Sequence, residues 1–555
     1  MMNSSLFKKA AVSAAVIALL SGCAQQSAHT LSADKTYKLT ILHTNDNHGH
    51  FWQNAKGEYG MAARKTIIDR VRKEVKAEGG SVLLLSTGDV NTGVPESDLL
   101  DAEPDIKGMN LMGYDAMAIG NHEFDNPLSV LAKQQGWAHF PMLSANIYNK
   151  TTGKRVFKPY IILHKQGIKI AVIGLTTEDT VKVGNPDYVK NLDFRDPKVE
   201  TKKLVAELKE TEHPDMIIAV AHMGHYDDAH YGINAPGDVS LARYLPKQDI
   251  DLIVGGHTHD AVCMQDKSHI KVNYQPGDMC KPDLENGIEI VQAFEWGKYV
   301  GRADYEFHNG QVNLVSYHLI PVNLKKKVQV NGESKSVYAT QEIPQDPAML
   351  KLLQPYQDKG QVKLGQKVAT VTGKLEGDRK VVRFHQTNLG RLIATAHMER
   401  TKADFAIMNS GGVRSSITPG DVTYKSVLMV QPFSNTITYI DMSGSDVKKY
   451  LDKVATKPVD SGAYPQFAGI SMVVGKRSVS QVKIHGKPLD PSKTYRFSVP
   501  SYNAAGGDGY PKITDHKGFV DTGFVDAEVL KAYLHSHSPV DASQYIPHGE
   551  IIYKL

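Results

Sequence analysis

The sequence predicts a two-domain α/β chain: a layered α/β domain, a linker helix, then a mixed α/β domain. Three observations predict it. The chain has 555 residues, more than one hydrophobic core usually organises. In its first half, six short apolar runs each end in a polar turn, with amphipathic helical stretches between them. Near residues 341–366 three prolines interrupt the pattern and the texture changes.

The N-terminus reads as an address. A basic start, MMNSSLFKK, precedes the apolar AAVSAAVIALL. That run is far short of the ~20 residues a membrane-spanning helix needs, and it fits a signal-peptide core. LSGC at 20–23 resembles the bacterial lipoprotein cleavage box. Residues 1–22 are then a signal peptide, Cys23 is the lipidated first mature residue, and 23–36 is a polar tether. Ala24 in place of Asp resembles an outer-membrane destination. The expectation is a lipid-anchored protein of the outer membrane. In an exported chain the remaining cysteines, Cys263 and Cys280, are expected to form a disulfide. Such a loop contributes on the order of 3 kcal/mol in the chain-entropy picture.

Residues 37–342 are the expected first domain. Its six runs are KLTILHTNDNH, SVLLLSTGDV, AMAIGNHEFD, IKIAVIGLTT, DMIIAVAHMGH and IDLIVGGHTHD. MAARKTIIDRVRKEVKAE and DPKVETKKLVAELKE carry apolar residues at helical spacing. Alternating strands and helices predict layers, with function gathered beyond the carboxyl ends of the strands. A helical pattern over 347–359 sits in the expected linker, 343–365. Residues 366–555 mix strands such as ADFAIMNSGG and NTITYIDMSG with helices such as SDVKKYLDKVA.

A formal net charge of +4 with no long Lys/Arg run argues against a nucleic-acid polymer as partner. A monomer is expected. Phosphate binding must come from local arginines.

Five of the six runs end in metal-ligand types. They supply Asp46 and His48, then Asp89, Asn121 with His122 beside it, His222, and finally His257 and His259. Carboxylate, imidazole and amide with no thiolate favour Zn, Mn, Co or Mg at a catalytic site over a structural Cys-type zinc site. Any one of these motifs alone fits a polar strand cap. Their joint order does not.

The order D-x-H, GD, GNHE, a lone His, then GHxH resembles the calcineurin-like metallophosphoesterases. TNDNHGHF near the start, NSGGVR at 409–414, QPFSN at 431–435 and NAAGGDGY at 503–510 resemble the bacterial 5′-nucleotidase / UDP-sugar hydrolase family. The likeness runs through essentially the whole mature chain. It implies an αββα first domain and a nucleotide-binding second one. It implies two divalent ions, one held by Asp46, His48 and His259, the other by Asn121, His222 and His257, with Asp89 between them. It also implies in-line attack of an activated water without a covalent intermediate, a His122–Asp125 dyad, and rotation between the domains.

For the substrate, the resemblance implies Arg379, Arg383 and Arg414 on phosphate, and Phe433 and Tyr502 around the base. Asn435 and Gly462 would face base or ribose, and Asp508 would accept from ribose hydroxyls. Two positions depart from the family pattern: His259 replaces an amide residue, and Tyr502 replaces Phe. The expected activity is hydrolysis of 5′-nucleotides to nucleoside and phosphate, extending to nucleoside di- and triphosphates or UDP-sugars. The alternatives are a 2′,3′-cyclic nucleotide phosphodiesterase/3′-nucleotidase and a non-catalytic nucleotide-binding surface lipoprotein.

Overall fold

The computed structural model describes residues 31–554 apart from 33, 185, 228–234, 268, 272 and 331–332. The signal segment 1–22 and Cys23 lie outside the described residues. Among the described residues no helix is long and apolar enough to cross a membrane.

All six apolar runs form strands: Tyr37–Thr44, Ser81–Ser86, Ala116–Ala118, Ile168–Thr176, Met216–His222 and Leu252–Val254. They divide between two six-stranded sheets. The first three lie side by side and parallel in one sheet, so their carboxyl ends align. The last three do the same in the other. Antiparallel strands close three of the four sheet edges, and the short parallel strand Met142–Leu143 closes the fourth. Tyr299–His308 pairs with Tyr37–Thr44 and returns as Gln311–Pro321.

Strand alternation explains the layers. Leu39, Ile41, Leu83 and Leu85 of the first sheet meet Ile170, Val172, Ile218 and Val220 of the second in one core. Leu42, Leu84 and Met117 point the other way, onto Ile67, Ile68 and Val71 of the helix Met61–Ala77. On the far side, Ile173, Ile217 and Ala219 pack on Leu204, Val205 and Leu208 of the helix Pro197–Thr211. The result is the αββα sandwich the resemblance implies.

The linker region forms the helix Pro347–Leu364. Asp346 caps it, its Oδ1 accepting from the Met349 N–H at 2.8 Å, and proline takes the first position, where its missing N–H costs nothing. It runs five residues past the helical pattern read from sequence, because Leu364 is fully buried and anchors the last turn. Met349 and Leu353 join the first-domain core.

The second domain is mixed α/β. A five-stranded sheet orders Pro465–Ala468, Phe405–Asn409, Thr494–Pro500, Thr436–Ser443 and Phe519–Val525. The helix Asn388–Thr401 covers it, with Leu389, Leu392 and Ile393 fully buried. Cys263 and Cys280 are disulfide-bonded and buried against the sandwich core.

Candidate active site

The ligand-type residues sit at or just past aligned strand ends, so the two sheets deliver them to one place. Three groups bring ligand atoms within 4.8 Å of one another: Asp46/His48/His259, Asp89/His222/His257 and His48/Asp89/His122. The first is one of the two sets the resemblance implies; the second brings Asp89, expected between the sets, together with His222 and His257 of the other. Asn121 belongs with the second, its Oδ1 2.8 Å from His257 Nδ1 and 3.1 Å from His222 Nε2. His222 Nε2 also lies 2.9 Å from Asp89 Oδ2.

The backbone here is unusual. Asp46, His48, Asp89, His257 and His259 all have positive φ, between 47° and 81°. For a residue other than glycine this region costs on the order of 1–3 kcal/mol, and such residues cluster at functional sites. Gly256 permits the close approach of the last loop. A Cβ there would stand 2.3 Å from Thr87 Oγ1.

Hydrogen bonds fix which imidazole nitrogen faces the site. His48 Nδ1 donates to the Thr92 carbonyl at 2.7 Å, and His222 Nδ1 to the Thr87 carbonyl at 2.8 Å. His259 Nδ1 meets the Glu295 carboxylate at 2.7 Å. Carbonyl and carboxylate only accept, so in the neutral rings each Nε2 carries the lone pair. The Nε2 atoms of His48 and His259 then face each other at 3.0 Å, with Asp46 Oδ1 3.3 Å from the latter. Two opposed lone pairs repel unless a cation lies between them. The donor chemistry therefore fits a divalent ion in each set.

The charges agree. Burial would raise Asp46, but His259 and His222 outweigh it and hold the carboxyl at about 2. Burial likewise opposes ionisation of Asp89, and His222 and His122 hold it well below the carboxylate range. Burial pushes His257 down to about 3, with help from His222. Burial opposes a charge on His222 and His259, but Asp89 and Asp46 raise His222 to about 10, and Asp46 and Glu295 raise His259, so the site draws positive charge, as protons or as metal ions.

His122 stands apart. Its Nδ1 lies 2.5 Å from Asp125 Oδ2, and Thr92 Oγ1 donates to the same oxygen at 2.7 Å. Burial opposes a charge on His122, but Asp125 and Asp89 overcome it and raise the pKa above its ordinary value. Its Nε2 is turned toward Asp89 Oδ2 at 4.0 Å.

Two acidic residues were missed from sequence. Glu123 is buried and accepts from the backbone N–H of Asp89, Val90 and Gly120 at 3.0, 2.8 and 2.7 Å. It ties the second and third ligand loops together. The quoted GNHE contains it, but nothing in that motif separates it from an ordinary helix-start glutamate. Glu295 holds His259 and is itself held by Lys298 at 2.8 Å. Its neighbours Phe294 and Trp296 both have positive φ, 66° and 59°. They are pinned because Asn45 Nδ2 donates to the Phe294 carbonyl and the Trp296 N–H donates to the Asp46 carbonyl. No pattern in the sequence marks this loop.

A cavity of about 380 Å³ opens over these groups, between the two domains. Asp89, Asn121, His122, Asp125, His257 and His259 line one wall. Arg379, Arg383, Arg414, Phe433, Asn435, Gly462, Tyr502 and Asp508 all line the other. Asp46, His48 and His222 lie beneath it, fully buried or nearly so. Asp179, Tyr226, Lys457 and Asp460 line it too and were not foreseen. Phe433 and Tyr502 are half-buried, not core. The Phe433 ring lies near-parallel to His122, centroids 5.9 Å apart, and the Arg414 guanidinium sits 5.5 Å from the Phe433 centroid. Burial, then Arg379 and Arg414, depress Arg383, and burial with Arg379 depresses Arg414. Arginine does not lose its proton in proteins, so the crowding instead marks a place that favours an anion.

Paired sheets with carboxylates and imidazoles converging at their strand ends define a calcineurin-like phosphoesterase domain, and residues 39–261 match that family. Residues 367–515 match the 5′-nucleotidase C-terminal domain. The chain belongs to the bacterial 5′-nucleotidase family. It is 67% identical over 553 residues to a 5′-nucleotidase of Vibrio cholerae serotype O1, covering 100% of both chains. It is 59% identical over 529 residues to Protein UshA of Escherichia coli, covering 95% of this chain and 96% of that one. The crystal structure of a 5′-nucleotidase precursor from Thermus thermophilus superposes with a TM-score of 0.74 at 29% identity, over 93% of this chain and 99% of that one. The protein is a metal-dependent phosphomonoesterase with a two-metal active site, acting on nucleotides.

Proposed function

We propose that the enzyme converts 5′-nucleotides to nucleoside and phosphate, and that nucleoside di- and triphosphates or UDP-sugars are further substrates. The observation that carries this reading is the cavity itself. One wall is ligands and a His–Asp dyad; the other is three arginines, two half-buried aromatics and a carboxylate.

In this reading Asp46, His48 and His259 hold one ion, Asn121, His222 and His257 the other, and Asp89 both. When bound, the two ions polarise the phosphoryl oxygens and acidify a water for in-line attack. The chain's own groups do the rest. Arg379, Arg383 and Arg414 orient the phosphate through planar forks that match its oxygens. Asp125 steadies the His122 imidazolium, which presents its Nε2 proton to the phosphoryl or leaving oxygen. Phe433 and Tyr502 stack on either face of the base, a contact every base can make. Asn435 and Gly462 border base and ribose, and Asp508 accepts from the sugar hydroxyls. Residues 37–342 act as the catalytic domain, 343–365 as linker and 366–555 as substrate domain. LSGC further supports a lipid anchor at Cys23, and Ala24 after it an outer-membrane location.

The test follows products from 5′-AMP, ATP, UDP-glucose and 2′,3′-cyclic AMP, using metal-stripped enzyme reloaded with single ions. Faster turnover of 5′-AMP than of the cyclic nucleotide is expected, as is loss of activity in Asp89→Asn. A strong preference for the cyclic substrate, or full activity in that variant, overturns the reading. Membrane release of Cys23→Ala checks the anchor.

A further inference from the structure

The substrate wall holds one arrangement that the reading above leaves without a role. Tyr502 does more than present a ring. Its hydroxyl donates to Asp508 Oδ1 at 3.1 Å and accepts from the Asp508 backbone N–H at 3.1 Å. One phenol thus grips both the side chain and the backbone of the same residue. Asn409 Nδ2 donates to the other carboxylate oxygen at 2.8 Å.

Asp508 needs that grip. Its φ is 56°, a left-handed conformation in the short turn Gly507–Gly509. Free aspartate there rotates about χ1 and χ2 among several wells. The Tyr502 ring also lies flat on the turn, since a Cβ on Gly507 would stand 2.5 Å from its Cε2 and Cζ. Burial beside Asp508 keeps the phenol well above its ordinary pKa, so the proton stays on Tyr502 and is available to donate. An ionised carboxylate offers about four lone-pair sites. Two are taken by Tyr502 and Asn409, which leaves about two for a pair of neighbouring hydroxyls.

We infer that the Tyr502 hydroxyl is a positioning residue for sugar recognition: it locks Asp508 in the orientation that reads the ribose diol, and so sets the preference for ribonucleotides over sugars lacking those hydroxyls. This rests on the reading that Asp508 faces the sugar. It also gives the replacement of Phe by Tyr at 502 a consequence. A phenylalanine would keep the stacking surface but leave the Asp508 N–H and carboxylate without this partner. The base platform and the sugar reader are one rigid unit in this chain.

The experiment compares kcat and KM for 5′-AMP and 2′,3′-dideoxy-AMP in the wild type, Tyr502→Phe and Asp508→Asn, all metal-loaded. A site built to hydrogen-bond a hydroxyl strongly penalises the analogue lacking it. In Tyr502→Phe the KM for 5′-AMP should rise about tenfold with kcat nearly unchanged, the size expected for losing hydrogen bonds to a charged group. Its constants for dideoxy-AMP should change much less, so the ratio of the two substrates falls. An equal loss on both substrates would mean that the substitution acts on stacking or folding, and overturns the inference. A lowered ratio in Asp508→Asn with a wild-type ratio in Tyr502→Phe overturns the inference alone. A wild-type ratio in Asp508→Asn overturns the sugar assignment and the inference with it.

Discussion

Replacing Glu123 with glutamine changes almost no volume and removes one charge, which makes it a sharp test of how the site is braced. Oε2 accepts from the Asp89 and Gly120 N–H groups; Oε1 accepts from the Val90 N–H and, at 3.1 Å, from Asn91 Nδ2. A glutamine amide has one oxygen and one NH2. The Asn91 N–H also approaches Oε1 at 3.4 Å, so however the amide turns its NH2 faces at least two donors. Each orphaned buried donor costs about 1–3 kcal/mol, so the raw loss is about 4 kcal/mol. Burial and the nearby Asp89 charge push Glu123 above the usual carboxylate range, so neutralising it returns part of that. A net loss of about 3 kcal/mol remains, roughly 5 °C in the melting of a domain of about 300 residues at ~2.1 cal/mol/K per residue. Calorimetry on the metal-free enzyme measures the first-domain transition, and bound metal is counted after reloading. The expected result is the lowered transition together with weakened metal retention, because both Asp89 and Asn121 hang from the braced loops. A shift under about 2 °C with full metal content would refute the argument that these bonds hold the site.

Two further outcomes follow from the same structure. Glu295→Gln should weaken one of the two ions about 10- to 100-fold, the usual size for losing the carboxylate behind a metal-bound histidine. Calorimetric titration with Mn²⁺ or Zn²⁺ should show one site weakened and the other unchanged; two unchanged sites would dismiss the role of Glu295. His397 is fully buried in the helix Asn388–Thr401, with neither ring nitrogen hydrogen-bonded, and burial pushes it down to about 3. Its folded pKa lies below its unfolded value near 6.5, so the unfolded chain binds the extra proton and stability falls as pH drops below 6.5. Between pH 6.5 and 5 this amounts to ~2 kcal/mol. His397→Leu should flatten that slope in the second-domain transition, and an unaltered slope would count against it.

The candidate ligand residues were legible because each ends, or follows by a polar turn, a β-branched or aliphatic run, a pattern that survives without knowing which strands pair. The division of those runs into two sheets was not. It depends on the long return Tyr299–Pro321, which pairs with a strand more than 250 residues earlier, as at Lys38 and Glu306. Glu123 and Glu295 were invisible for a related reason. Glu123 takes hydrogen bonds from Asp89 and Val90 and Glu295 holds His259, all more than 30 residues away, and such partners leave no local trace. The aromatics of the substrate wall could be named only through the family resemblance. Their half-burial in the cavity is a property of the assembled domains, not of the turn sequences that carry them.

The left-handed backbone at five candidate ligand positions also bears on how such a motif can vary. Asp, Asn and His are at once oxygen or nitrogen ligands and the side chains most tolerant of positive φ. Each of those positions is therefore filtered twice, once by coordination chemistry and once by the Ramachandran map. Glutamate and cysteine bind divalent ions well but have no comparable preference for that backbone. Part of what reads as a metal signature in D-x-H and GHxH is a record of chain geometry. At 259 an engineer choosing ligands by affinity alone would draw from a list longer than the loop can accept.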